Sequence, residues 1–92
     1  MKKNVEVVIT KTVCVEVDET KFTPEFFEEY NRDFQDFGDE IEEHIEHLAW
    51  LYAAERIEGY PGEFIEGYGP AEDMGIKFNT IFADTETYLL EG

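Results

Sequence analysis

The chain has 92 residues, 42% of them hydrophobic and 15% aromatic, with a formal net charge of -16 at pH 7. That is one small domain, residues 1–92, with apolar material for a core, which excludes a disordered acidic tail. The charge argues against direct binding of nucleic acid or an anionic membrane, both of which repel it.

The charge is unevenly placed. Residues 1–21 hold four acids and four lysines and sum to zero. Residues 22–74 hold sixteen acids against only Arg32 and Arg56, and residues 75–92 add -2. Cys14 is the only cysteine, so no internal disulfide forms. No apolar run has the length of a membrane span or the form of a signal peptide, and a cytoplasmic location is expected (the host cytoplasm for a phage-encoded protein).

Residues 4–18 are rich in β-branched side chains and alternate with period two. Val5, Val7, Ile9, Val13, Val15 and Val17 share one face of a predicted strand, and Glu6, Thr10, Thr12, Cys14 and Glu16 the other. Lys11 falls on the apolar face, which predicts a bend or bulge there, or a place at the edge of the core.

A helix is predicted from Thr23. Thr23 suits the cap, Pro24 the first helical position, and Glu25, Glu28 and Glu29 the positive end of the dipole. Phe22 and Phe27 have the spacing of a hydrophobic staple. The core stripe is Phe27, Tyr30, Phe34 and Phe37, and Gly38 is the expected stop. A second helix is predicted from Asp39, with Glu42 completing a capping box, and is expected to end near Gly59. Its core stripe is Ile41, Ile45, Leu48 and Tyr52, with Ala49 alongside.

Residues 59–75 hold five of the seven glycines and read as a structured loop with a short helical turn at Pro70–Met74. Phe64, Ile65 and Tyr68 are expected to pin it to the core. Residues 76–82 read as a strand, with a turn at Asp84-Thr85 and a last short strand over Thr87–Leu90. The predicted fold is α+β, in the order β-α-α-β-β. A small antiparallel sheet of two or three strands carries a two-helix hairpin on one face.

Residues able to carry catalysis are sparse. The chain has no serine, and Cys14 lies inside a strand as a structural thiol. Acids are so abundant that no pair stands out as a tuned acid and base. Glu40 with His44 and Glu43 with His47 are i,i+4 pairs able to approach a divalent metal, but neither the HExxH nor the di-iron ExxH pattern is present. His44 lies at the edge of the apolar stripe, where a core-edge position with a Glu hydrogen bond is the simpler account. Gly67-Tyr68-Gly69-Pro70 lacks the lysine of a phosphate loop. No cofactor, metal site or catalytic residue is therefore expected, and the chain reads as a non-enzyme.

The acidic helical faces are the stronger lead. Glu25, Glu29, Asp33, Asp36, Asp39, Glu43 and Glu46 point away from the apolar stripes, and residues 33–55 contain no lysine or arginine. Carboxylates at i and i+4 lie about 6 Å apart along a helix, close to the phosphate spacing of a nucleic-acid strand. Such rows suit a basic groove built for phosphate, with the counterion release DNA would give. Trp50 lies opposite the apolar stripe, as a partner anchor, a dimer contact or a residue covered by the glycine loop.

Residues 42–53, EEHIEHLAWLYA, and 64–76, FIEGYGPAEDMGI, together with the opening V-x-V-x-V alternation, resemble a family of small phage and prophage proteins known only as a domain of unknown function. That resemblance implies phage origin and small size, and transfers no activity. Small acidic phage proteins resemble inhibitors of host defence, including anti-CRISPR and anti-restriction DNA mimics. The expected partner is thus the basic groove of a host nucleic-acid-binding protein. The alternative is an accessory or structural module acting through homodimerisation or protein contact, with acidity serving solubility.

Overall fold

A computed structural model describes residues Met1–Glu91. It is α+β, as the sequence predicts, but its shape is elongated. Its extents are 56 × 25 × 19 Å and its radius of gyration is 16.9 Å, against about 12 Å for a compact domain of this length. The excess length comes from one feature, a two-stranded ribbon made by the two ends of the chain.

Strand β1 (Asn4–Glu16) pairs antiparallel with β4 (Lys77–Leu90), from Asn4 opposite Leu90 to Glu16 opposite Lys77. The alternation of β1 is uninterrupted. The register shift falls on the partner, where Thr12 faces Phe82 and Val13 faces Thr80, leaving Ile81 as the extra residue of a bulge. The two C-terminal strands expected from the sequence are one. No turn forms at Asp84-Thr85, because Thr10 and Ile9 of β1 pair with them and hold the backbone extended.

Only the base of this ribbon carries the core. Asp18 accepts from the amide and hydroxyl of Thr20 and starts a 3₁₀ turn over Glu19–Lys21, which swings the chain into the helices. Helix α1 (Pro24–Asp33) begins as predicted, with the Thr23 hydroxyl accepting from the Phe26 amide at 3.1 Å. It ends four residues earlier than the phenylalanine spacing suggests. Phe34 leaves helical geometry at φ -124°, ψ -89°, and Asn31 ties the turn instead, accepting from Phe37 N and donating to Gly38 O. Phe34 is consequently exposed rather than in the core.

Helix α2 (Ile41–Ala53) starts after Glu40, without a side-chain cap; Asp39 and Glu42 form no capping box, and the helix stops before Gly59. Its C-terminal carbonyls face β1, and Lys11 donates to Ala53 O at 3.2 Å. A cation at this negative pole is favourable, which explains a lysine on the apolar face of the strand. Lys11 marks where the helical head ends and the free ribbon begins.

The glycine loop folds over the helices. Strands β2 (Phe64–Ile65) and β3 (Gly69–Pro70) form a small antiparallel pair, followed by a 3₁₀ turn over Ala71–Met74. The Glu63 carboxylate accepts from Glu58 N and Gly59 N, so one acid holds the loop closed. Ile65 and Tyr68 are buried as expected, but Phe64 points outward. Gly67, at φ +90°, is pressed against Tyr30, where an added Cβ would lie 2.5 Å from the ring. The buried core is Phe22, Tyr30, Leu48, Ile65, Tyr68, Ala71, Met74 and Ile76, with Val15, Val17 and Phe78 closing it from the ribbon base.

Candidate partner-binding surface

The seven predicted acids are all exposed, but two of them lie off the two helical faces on which the sequence places them. Glu25 and Glu29 lie on α1, and Glu43 and Glu46 on α2. Asp33 is the last residue of α1, while Asp36 and Asp39 fall in the turn between the helices. Two of the seven have local duties. Asp33 takes a bidentate contact from Arg32, at 2.9 and 3.2 Å, and that guanidinium holds its carboxyl below the usual carboxylate range. Asp36 accepts from Gly38 N at 2.9 Å and shapes the turn. Glu25, Glu29, Asp39, Glu43 and Glu46 make no ion pair among the described residues.

Both arginines of the acidic block are engaged within the head. Arg32 lies on Asp33, and the Arg56 guanidinium stands 5.6 Å from the centre of the Trp50 ring. Trp50 itself is 55% exposed and stacks on His47, with centroids 6.3 Å apart. The loop does not cover it, which removes one of its three sequence readings. Beside it is an open groove of about 520 Å³, with Phe34, Leu51, Arg56 and Phe64 among its walls. The sequence pattern assigns Phe34 and Phe64 to the core, so it misses this apolar wall. Their only distinguishing signal is position, one at a helix end and one within the glycine loop.

His44 overturns its edge-of-core expectation. It is fully buried at the centre of an aromatic shell and bonds no glutamate. Its ring centre lies 4.6 Å from Tyr30 and 5.0 Å from Phe37, with Phe22, Phe26, Phe27 and Tyr68 also around it. Nδ1 is 2.8 Å from the Tyr68 hydroxyl, and Nε2 has no hydrogen-bond partner. A charged imidazolium there would leave a donor unpaired in apolar surroundings. Burial, helped by His47, lowers its pKa to about 4. Burial also pushes the Tyr68 hydroxyl, which Tyr30 approaches, well above its ordinary value. His44 is thus a neutral packing residue. Among the described residues, no three His, Cys, Asp or Glu side chains gather as metal ligands.

Cys14 is a free, exposed thiol on the outer face of β1. No helix among the described residues is long and apolar enough to cross a membrane. Comparison with protein-family models, curated proteins and solved structures returns no match.

Proposed function

We propose that the chain is a non-enzymatic binding protein of phage type, whose acidic head enters the basic groove of a host nucleic-acid-binding defence complex. One observation carries this reading. Five carboxylates, on Glu25, Glu29, Asp39, Glu43 and Glu46, face solvent with no ion pair among the described residues, while the two nearby arginines, themselves exposed, lie on Asp33 and Trp50. An ordinary solvated surface mixes signs, and this one leaves its negative field unopposed. The exposed Trp50 supplies an apolar anchor beside that field.

The test is charge reversal. Glu29→Lys, Glu43→Lys and Glu46→Lys together retain the circular-dichroism spectrum, because all three side chains are exposed. They abolish capture of the complex from lysate of bacteria carrying CRISPR and restriction systems. Equal capture by parent and variant contradicts the reading. A second reading, an accessory module that works by assembly, is favoured by the apolar ribbon, which the head does not use.

A further inference from the structure

The ribbon beyond Lys11 has no structural reason to be apolar. Cross-strand partners share a face, so the stripe that feeds the core at Val13 and Val15 continues outward through Ile9, Val7 and Val5, with Leu89 opposite Val5. Among the described residues nothing covers this stretch, and Val5, Val7, Ile9 and Leu89 are between 51% and 66% exposed. Between Val5 and Ile9, and between Thr85 and Leu89, this face carries no charge. Glu6, Asp84 and Glu86 lie on the opposite one. An isolated two-stranded ribbon is marginal in water, yet this one runs the full length of both strands.

We infer that the occupant is a second copy of this chain, packed face to face with its ribbon antiparallel. Charge selects both the partner and the direction. A parallel arrangement would bring two heads together, each with a net of -14 over residues 22–74. The antiparallel one sends the heads to opposite ends. It also lays the tip of each ribbon, with Lys2 and Lys3, into the crook between the partner copy's ribbon and head. That crook is a cavity of about 410 Å³ lined by Ile9, Lys11, Ala53, Ala54 and Glu55. Lys11 already rests on Ala53 O, so the carboxylate of Glu55, with Glu58 in the adjoining cavity, is left to meet the incoming lysines. The contact is isologous, with each tip filling the other copy's crook. The two-fold axis passes near Val7, which meets its own counterpart.

Sedimentation equilibrium of the full chain tests this. The expected mass is twice the 10.7 kDa of one chain, and it persists in high salt because the central contact is apolar. Val7→Asp places two carboxylates at the two-fold axis and yields the single-chain mass, with the spectrum of the head unchanged. Lys2→Glu with Lys3→Glu weakens association about tenfold, and adding Glu55→Lys with Glu58→Lys restores it. With Cys14→Ser as background, Val7→Cys forms a disulfide-linked pair on mild oxidation and Thr10→Cys, on the other face, does not. A single-chain mass at every concentration overturns the inference, as does a dimer that Val7→Asp leaves intact. Head variants at Glu29, Glu43 and Glu46 leave the mass unchanged, so failure here is separable from failure of groove binding.

Discussion

Acidification should unlock the head through one residue. His44 has an ordinary value of 6.5 when the chain is unfolded and a value lowered to about 4 in the folded head. The folded state therefore resists the proton that the unfolded state takes up. Stability is complete above 6.5, declines as pH falls from there, and levels off below about 4. A shift of this size, at about 1.4 kcal/mol per pKa unit, amounts to roughly 3 kcal/mol. Small domains hold about 5 kcal/mol in total at the lower end, so the loss would take most of it. The many carboxylates add their own response to a single measurement. A difference measurement removes them. His44→Gln keeps an acceptor for the Tyr68 hydroxyl and does not titrate. Urea unfolding of parent and variant between about pH 7.5 and about pH 4, which spans the shift, should show the parent losing roughly 3 kcal/mol relative to the variant. Parallel stability curves would refute the assignment of His44 as a buried neutral imidazole.

Three further outcomes follow from the packing. Leu48→Ala, at a fully buried position, should cost about 2–5 kcal/mol in urea unfolding. Gly67→Ala should cost about 1–3 kcal/mol, since the added methyl meets the Tyr30 ring on a backbone of positive φ; an unchanged midpoint would show that the loop does not press on α1. Trp50 is the only tryptophan, and its emission should be solvent-like, insensitive to Val7→Asp, and blue-shifted when the head is bound.

The chemistry of single residues was more legible in the sequence than the limits of elements. The Thr23-Pro24 start of α1 and the alternation of β1 follow directly from capping and pleating. The end of α1 does not, because Phe34 continues the helical spacing while Asn31 redirects the backbone. Asp84-Thr85 resembles a turn by composition, but a long-range pairing with β1, 74 or more positions away, keeps it extended. His44 looks peripheral when histidine is counted as polar. Its place is decided by the aromatic density of α1 and the turn after it, which only the fold brings around it. The acids of the predicted surface are exposed as expected, but the early end of α1 moves Asp36 off that helix, the later start of α2 leaves Asp39 ahead of it, and Asp33 and Asp36 have local partners in Arg32 and Gly38 N.

Groove binding by the acidic head makes one demand that no structural role shares. A complex captured by the immobilised chain must not hold the chain and its own nucleic acid together. Titrating that complex with a DNA duplex should release the chain in proportion to duplex bound, and raised salt should weaken both interactions alike. A ternary complex, in which duplex and chain are retained together, would contradict the account.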